Sequence, residues 1–432
     1  MPRTSRPEAH NPKRVPSQAR ERGWLARDRS LVIALVATAI YAAVAAQHAG
    51  LFQPSRFAYF NYLANSFLKG HLSLVELPPS KLDLSPFGGN FYLFYPPFPA
   101  VILMPFVRVF GIGFSDVLFT IALGGLNVWL VGVLLRSAVA RGIVELSHRQ
   151  VNLLSLTFAL GSVHLPLAAH GRVWYTAQLI GFACVVAAFI AALRLEGSRA
   201  FLAVGLAIGC AIMTRNHLIF QGLWPLAMLL DRNQLLPGRL APEAGRRSRV
   251  LACLAAAAIP IVFAIALLAY YNFARFGNPL DLGIAYHQMD PDFRANYERY
   301  GAFSLHYLPA NFFYQFLAYP FPLRPSSLMG GSLFLLTPVF LASFWASSSR
   351  RDRWSAWVLA ASVALTAVPI LLLMGTGWTQ FGPRYTLDFT APLLLLTAIG
   401  LRRWPTWLVA ILTVISILHY LSGALYLGTR IV

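Results

Sequence analysis

Carboxylate side chains are the first candidates for chemistry, because only 16 of the 432 residues are Asp or Glu. Glu76 and Asp83 lie in one polar stretch, and Asp83 precedes a Gly-Gly pair and a run of aromatic residues and prolines. A carboxylate in such a loop can take the proton of a substrate hydroxyl, although each one alone is also compatible with a solvated loop charge. Asp83 is therefore the candidate catalytic base, with Glu76 as the alternative. Other acids of the segments predicted to face outside are Asp116, at the end of this stretch, and Asp281, Asp290, Asp292 and Glu298 in a second one.

Cations at the ends of apolar stretches form a second group of candidates: Arg172, Arg215, Arg384 and His170. The planar guanidinium fork matches the oxygens of a phosphate, so this group is predicted to bind an anionic substrate. Two structural alternatives remain open. The side chains extend to lipid headgroups, or Arg384 pairs with Asp388 four residues later on a helix.

Aromatic residues accompany both groups. Tyr92 and Tyr95 lie in the run that follows Asp83, and Tyr385 follows Arg384 directly. Such rings stack on a sugar or hold a lipid chain, but they are also common as belt residues at a membrane interface. The candidate substrate-binding and phosphate-binding residues are Arg384, Arg215, Arg172, His170, Tyr92, Tyr95 and Tyr385.

The sequence excludes several other kinds of site. It contains no phosphate-binding Walker loop, dinucleotide glycine fingerprint, His-Glu-x-x-His pattern or nucleophile elbow. Cys184, Cys210 and Cys253 lie in apolar stretches without metal-ligand or disulfide spacing. The net charge of +19 forms no basic stripe interleaved with aromatics, so it indicates the positive cytoplasmic loops of a membrane protein rather than nucleic-acid binding.

Apolar stretches recur from residue 31 onward and must position these candidates. Hydrophobic residues make up 57% and charged residues 12% of the chain, whereas about 25% is charged in soluble domains. In hydrocarbon such stretches form helices, and about 20 residues cross the ~30 Å core. We predict an all-α polytopic membrane protein with about 11 transmembrane helices. The predicted spans are residues 31–49, 115–136, 151–168, 173–193, 199–214, 216–231, 250–272, 328–347, 355–375, 385–401 and 404–427.

One further apolar segment, Phe98–Phe110, is short and contains two prolines and Arg108. If it crossed the membrane, the short Arg-rich loops at residues 136–149, 239–249 and 350–353 would face outside, against the positive-inside rule. We therefore predict that this segment lies in or dips into the outer surface, and that the N-terminus is cytoplasmic.

The predicted layout is a disordered cytoplasmic tail, residues 1–30, followed by a single transmembrane domain, residues 31–432, in the bacterial cytoplasmic (inner) membrane. Two long external loops, residues 50–114 and 274–327, carry the candidate acids. Residues 57–68 repeat apolar side chains at helical spacing, which predicts an amphipathic surface helix, and residues 311–317 suggest another. Residues 31–47 also resemble a signal-peptide core, but the basic region before them is unusually long for one.

Five short motifs lie after the first span, in the two external loops and before residue 386: Phe52-Gln-Pro54, Tyr62-Leu-Ala-Asn-Ser-Phe-Leu-Lys-Gly70, Tyr92-Leu-Phe-Tyr-Pro-Pro97, Tyr271-Asn-Phe-Ala-Arg-Phe-Gly277 and Phe381-Gly-Pro-Arg-Tyr385. Together with the long loop after the first span, they resemble the GT-C superfamily of membrane glycosyltransferases. The similarity is greatest to bacterial relatives of protein mannosyltransferases and aminoarabinose transferases. It implies a GT-C-like helix arrangement, a polyprenyl-phosphate sugar donor and an extracytoplasmic active site. Family members carry an acid shortly after the first span, whereas this chain has Ser55-Arg56 there.

The mechanistic hypothesis is a single inverting displacement. Asp83 or Glu76 deprotonates the acceptor hydroxyl, and the lipid phosphate leaves as an anion stabilised by arginine. The expected partners are a polyprenyl-phosphate-linked sugar, the lipid bilayer, and a glycan, lipid or protein acceptor, without nucleic acid. No cofactor is assigned. The sequence leaves open whether a divalent metal ion takes part, and it predicts no ligand residues for one. The alternatives are a transporter or flippase of a lipid-linked substrate, or a non-catalytic GT-C-like membrane protein.

Overall fold

A computed structural model of the chain describes residues 29–48, 50–235, 246–348, 353–377 and 379–431. Almost all of the predicted cytoplasmic tail, residues 1–28, lies outside the described residues. The same holds for Arg239, Arg350 and Arg351 of the predicted cytoplasmic loops.

The N-terminal half of the chain consists mainly of helices. Two of them begin at serine caps: Ser115 accepts a hydrogen bond from the amide of Leu118, and Ser147 forms a capping box with Gln150. The helices are α1 (Ser30–Ala46), α2 (Tyr59–Leu68), α3 (Phe98–Phe110), α4 (Asp116–Ala140), α5 (His148–Leu160), α6 (His164–Ala169), α7 (Val173–Arg194), α8 (Gly197–Ile212) and α9 (Leu223–Arg232), with a 3-10 turn at Asn216–Gly222 before α9.

The C-terminal half mixes long helices with short turns. Its α-helices are α10 (Arg246–Phe276), α11 (Pro291–Tyr300), α12 (Leu308–Phe312), α13 (Leu333–Leu336), α14 (Arg353–Leu372), α15 (Thr390–Gly400) and α16 (Thr406–Ile431). Its 3-10 segments are Ile284–Tyr286, Leu305–Tyr307, Pro325–Leu328, Pro338–Ser348, Arg384–Phe389 and Leu401–Arg403, and Phe313–Leu317 forms a π-helical turn.

Five helices of the described residues are long and apolar enough to cross a membrane: Asp116–Ala140, Val173–Arg194, Ser248–Phe276, Arg353–Leu372 and Thr406–Arg430. Shorter apolar helices are Ser30–Ala46, Phe98–Phe110, Gly197–Ile212 and Pro338–Ser347. Only 17% of the apolar window in Ser248–Phe276 is buried inside the protein, as expected where lipid covers a helix. The chain is therefore a mostly helical membrane protein, while the number of 11 crossings stays a prediction.

Two small sheets correct the expectation of an all-α fold. Strands β1 (Leu84–Phe87) and β2 (Asn90–Leu93) pair antiparallel, with Phe87 opposite Asn90. Between them Gly88 and Gly89 have φ angles of +57° and +77°, as a two-residue hairpin turn requires. The loop therefore forms this hairpin because its Gly-Gly pair permits the tight turn. Strands β3 (Met329–Gly330) and β4 (Gln380–Phe381) form a short parallel pair.

Residues 50–114, the first predicted external loop, form a packed unit rather than an open connection. Helix α2 packs against α3, and buried Tyr59, Phe60 and Leu63 share one apolar cluster with Leu84 of the hairpin. Val173, the first residue of α7, belongs to the same cluster. Each fully buried side chain of this size contributes about 1.5–3 kcal/mol. The hairpin is thus held against the start of α7. Helices α2 and α3 lie within residues 50–114, and their assignment as amphipathic surface helices stays a prediction.

Residues 274–327, the second predicted external loop, dock onto the hairpin through backbone hydrogen bonds. The amide of Asp83 donates to the carbonyl of Gln288 at 3.0 Å, and the amide of Gln288 donates to the carbonyl of Leu84 at 2.7 Å. The hydroxyl of Ser85 donates to the carbonyl of Gly283 at 2.8 Å. The two loops therefore meet at Asp83.

Candidate active site

The carboxylate of Asp83 is held by two residues that are distant in sequence. Trp174 Nε1 donates to Asp83 Oδ2 at 2.8 Å, and His287 Nε2 lies 2.9 Å from Asp83 Oδ1. The Asp83 side chain is 19% exposed. Each carboxylate oxygen has a second lone pair, so the group keeps capacity to accept a proton from a molecule that reaches it.

The backbone of Asp83 is unusual as well. Its φ angle is +63°, a left-handed conformation in which Asp and Asn are enriched among residues other than glycine. The Tyr59 hydroxyl donates to the adjacent carbonyl of Leu82 at 2.8 Å. Together with the pairing to Gln288, this contact fixes the direction in which the carboxylate points.

Arg384 also lies near Trp174. Its guanidinium carbon is 5.7 Å from the centroid of the Trp174 ring and 4.8 Å from that of Tyr385. The residue is 6% exposed, and its Nε has no hydrogen-bond partner among the described residues. A buried cation with an unused donor has the chemistry that an anionic ligand requires.

The structural alternative in which Arg384 pairs with Asp388 is wrong. Asp388 Oδ2 instead accepts from Arg215 at 2.9 Å and lies 2.8 Å from His217 Nε2. The reason is local geometry, because residues 384–389 form a 3-10 helix, in which side chains three apart rather than four apart are aligned. Arg215 is thus held by a carboxylate, and Arg384 is not.

Three more of the candidates surround this centre. The centroid of the Tyr385 ring lies 4.8 Å from the guanidinium carbon of Arg384 and 5.5 Å from that of Arg215. Arg172 lies 5.9 Å from the Trp174 ring centroid. Burial raises the pKa of the Tyr95 hydroxyl, and the negative charge of Asp83 raises it further, so Tyr95 stays protonated beside the carboxylate. The structure therefore groups Asp83, Arg384, Arg215, Arg172, Tyr95 and Tyr385.

The remaining candidates lie apart from Asp83. Glu76 is about half exposed and forms an ion pair of 2.8 Å with Lys69. Hydrogen bonds from Lys69 and Asn65 hold its pKa below the usual range, which makes it a poor proton acceptor. Tyr92 packs edge-on against Phe276.

His170 differs from a surface cation. It is buried, with Nδ1 2.8 Å from the carbonyl of Pro166. Burial lowers its pKa to about 4, so it is neutral at ordinary pH and carries no charge for a phosphate.

Trp174 and His287 are functional candidates that the sequence did not reveal. Trp174 lies in the first turn of α7, two residues after Arg172 and directly after a short loop that drew attention for its charges alone. His287 is 204 positions from Asp83, and no local pattern marks it. Both are candidates only because the tertiary structure brings their side chains to the carboxylate of Asp83.

Ser55 occupies the position where GT-C family members carry an acid, and it contacts the carboxylate of Asp116. The amide and hydroxyl of Ser55 donate to Asp116 Oδ1 and Oδ2 at 2.7 and 2.6 Å. Asp116 is 2% exposed. A carboxylate from the end of the loop thus reaches Ser55 in space, but both of its oxygens are engaged, which favours a structural role.

The sequence did not decide whether the protein binds a metal ion. In the part of the chain that the structure describes, no group of three or more His, Cys, Asp or Glu side chains lies in a position to hold a metal ion.

Comparisons with known proteins identify similar folds only through structure. No protein-family model and no curated protein matches the sequence. The structure of ArnT from Cupriavidus metallidurans bound to undecaprenyl phosphate matches with a TM-score of 0.51 and 16% identity, over 95% of this chain and 76% of that one. The apo Archaeoglobus fulgidus oligosaccharyltransferase matches with a TM-score of 0.48 and 13% identity, over 95% of this chain and 56% of its own.

This chain thus spans little more than half the length of the archaeal oligosaccharyltransferase. At such low identity the likeness concerns the fold alone, and the match with ArnT supports it. The fold of this chain thus resembles that of ArnT, in agreement with the GT-C-like helix arrangement that the sequence resemblance implied.

Proposed function

We propose that this chain is a membrane glycosyltransferase that moves a sugar from a polyprenyl-phosphate donor to a hydroxyl acceptor on the extracytoplasmic face of a bacterial inner membrane. The observation that carries the proposal is the arrangement around Trp174. Its indole nitrogen binds the carboxylate of Asp83, while its ring contacts the guanidinium of Arg384. A proton acceptor and an anion-binding group therefore flank one side chain, as displacement of a phosphate by a hydroxyl requires.

Asp83 is the base in this proposal. Its carboxylate takes the proton of the acceptor hydroxyl while the hydroxyl oxygen forms a bond to the anomeric carbon. The bond between that carbon and the phosphate oxygen breaks in the same step, and the proton stays on Asp83. A single displacement of this kind inverts the anomeric configuration. Trp174 and His287 act by orienting the carboxylate.

Arg384 serves the leaving group. The lipid phosphate departs as an anion and needs positive charge rather than a general acid. A buried guanidinium already in place stabilises that charge without reorganisation. Its free Nε supplies a charge-assisted hydrogen bond to a phosphate oxygen. Arg172 adds a second positive charge beside Trp174, and the Tyr385 ring packs against the guanidinium of Arg384.

The fold supports a lipid-linked donor. The ArnT structure that this chain resembles contains undecaprenyl phosphate. In this chain, the candidate site lies where the two external loops meet at the ends of apolar helices, so a donor anchored in the outer leaflet reaches it laterally. By the positive-inside rule the Arg-rich loops face the cytoplasm, and in this proposal the candidate site lies on the opposite face of the membrane.

The test is transfer itself. Membranes containing the protein receive undecaprenyl phosphates carrying radiolabelled hexoses or pentoses, and membranes from a strain lacking the protein serve as the control. The proposal predicts that the label of at least one donor moves to a product that is no longer linked through lipid phosphate. A transporter would move the donor across the membrane with its phosphate bond intact. Retention of every label on the donor contradicts the proposal.

A further inference from the structure

Arg275 joins the last turn of helix α10 to the hairpin of β1 and β2. It belongs to one of the five sequence motifs, residues 271–277, and it is 4% exposed. Its Nη1 donates to the carbonyl of Leu93 in β2 at 2.8 Å. Its Nε and Nη2 donate to the carbonyl of Tyr271 and to Asn272 Oδ1 at 3.2 and 2.7 Å. The proposed function assigns no role to this buried cation.

The contact of Arg275 lies one strand away from the candidate base. Leu93 pairs with Leu84 across the hairpin, and Leu84 directly follows Asp83. A hydrogen bond from a charged donor is about twice as strong as one between neutral groups. The guanidinium therefore fixes β2, and through the strand pair the position of Asp83, relative to α10.

Phe276, the last residue of α10, makes a second connection to the same region. Its ring centroid lies 5.5 and 5.3 Å from those of Phe87 and Tyr92 in the hairpin, and 5.8 Å from that of Tyr286. An added Cβ at Gly283 would lie 2.6 Å from the Phe276 ring, so the ring packs on the backbone there. The end of α10 thus contacts both the hairpin and the second predicted external loop.

The remainder of α10 has few protein contacts. Only 17% of its apolar window is buried, against 33–78% in the other four candidate spans. It packs against α8, where an added Cβ at Gly209 would lie 3.1 Å from the carbonyl oxygen of Pro260. Pro260 lies inside α10, and helices kink at such prolines. A helix covered by lipid responds to a change in hydrocarbon thickness by tilting or kinking, so the end of α10 shifts with the bilayer.

We propose that Arg275 is a positioning residue through which the lipid-facing helix α10 sets the place of the Asp83 hairpin, so that bilayer thickness regulates the candidate active site. The inference rests on the proposed function only for the role of Asp83. The coupling itself is measured without donor, acceptor or turnover.

The experiment is hydrogen exchange of the full-length protein in nanodiscs of dimyristoleoyl, dioleoyl and dierucoyl phosphatidylcholine, whose hydrocarbon thickness increases in that order. Amide exchange reports the free energy of local opening. The amides of residues 84–93 are compared with those of α15, whose residues are all buried. In the wild type, hairpin exchange should differ by about threefold or more between the thinnest and the thickest bilayer, while exchange in α15 stays constant.

Arg275→Met removes the donors and keeps an unbranched side chain. The carbonyl of Leu93 then loses its charged partner, so hairpin exchange should rise by about tenfold or more and should no longer depend on the lipid. Arg275→Lys retains one charged donor and should restore part of the lipid dependence. Arg108→Gln, an exposed change at the end of α3, is the control and should behave as the wild type does.

A purely structural role would raise hairpin exchange equally in the three lipids and leave its dependence on thickness intact in Arg275→Met, which overturns the proposal. Equal wild-type exchange in all three bilayers overturns it without any variant, as does loss of the dependence in Arg108→Gln. Where transfer is measured, kcat should follow bilayer thickness while the Kd for undecaprenyl phosphate stays constant. Lipid-dependent hairpin exchange without any sugar transfer contradicts the proposed function and supports the coupling.

Discussion

Trp174 Nε1 lies 2.8 Å from Asp83 Oδ2, although the two residues are 91 positions apart in the chain. An indole nitrogen can only donate, so the contact requires an accepting carboxylate oxygen. With His287 on the other oxygen, the carboxylate cannot rotate freely. The remaining lone pairs therefore face a fixed direction, which favours a base that is positioned before the substrate arrives.

His287 should matter for rate rather than for donor binding. His287→Ala removes the contact to Asp83 Oδ1 and frees the carboxylate to rotate, so we expect kcat for sugar transfer to fall by about tenfold or more. His287→Gln retains a side-chain donor and should restore part of that loss. The measurement is kcat with the Kd for undecaprenyl phosphate determined in parallel. Equal kcat in the wild type and the Ala variant would argue against a positioning role.

Arg384 should determine affinity for the lipid phosphate. Arg384→Lys keeps the charge but loses the planar fork, and a lost charge-assisted hydrogen bond of about 1.5–3 kcal/mol predicts binding weaker by about tenfold or more. Undecaprenyl phosphate binding can be followed by native mass spectrometry in detergent. Arg324→Gln, an exposed change in the second external loop, is the control. The assignment fails if both variants bind as the wild type does.

Gly377 should be intolerant of a side chain, because its backbone conformation and its neighbours leave no space. Its φ angle is +106°, and an added Cβ would lie 2.6 Å from Gln380 Oε1 and 2.8 Å from Arg384 Nε. Gly377→Ala should therefore displace Arg384 and weaken undecaprenyl phosphate binding. Gly113→Ala is the matched control, since no heavy atom lies within 4 Å of a Cβ there. Unaltered lipid binding in the Gly377 variant would refute this packing argument.

Ser55 should contribute to stability through Asp116. Ser55→Ala removes the hydroxyl donor and leaves a buried carboxylate oxygen unsatisfied, which costs about 1–3 kcal/mol. We expect a lower thermal unfolding midpoint in detergent. Asp116→Asn and the double variant complete a mutant cycle, in which coupled residues give effects that do not add. Strict additivity of the two single changes would indicate that the contact contributes little.

The sequence predicted helices best where the apolar stretches are long and uninterrupted. The predicted span at residues 173–193 coincides with the helix Val173–Arg194. The predicted span at residues 328–347 is instead divided among strand β3, helix α13 and a 3-10 segment. The span at 151–168 is divided into two helices at residues 161–163, which apolar composition alone does not show. The Gly-Gly pair after Asp83 marked a turn, and the structure makes it the turn of a hairpin.

The candidate site was only partly accessible to sequence reasoning. Asp83 and Arg384 drew attention because charges are rare near apolar stretches. His287 and Trp174 remained hidden because their partner lies far away in the chain. The alternative in which Arg384 pairs with Asp388 assumed an α-helix, whereas residues 384–389 form a 3-10 helix and Asp388 pairs with Arg215 instead. Local periodicity does not determine such tertiary contacts.

The most direct test of the account is Asp83→Asn in the radiolabel transfer assay, with undecaprenyl phosphate binding measured on the same protein. Asn also adopts the left-handed conformation found at this position and retains an accepting oxygen, so the site should keep its shape. Transfer should fall by about 10²- to 10⁴-fold, the usual contribution of a general base, while lipid phosphate binding stays close to that of the wild type. Glu298→Gln serves as the control. Wild-type transfer rates in Asp83→Asn would contradict the central claim.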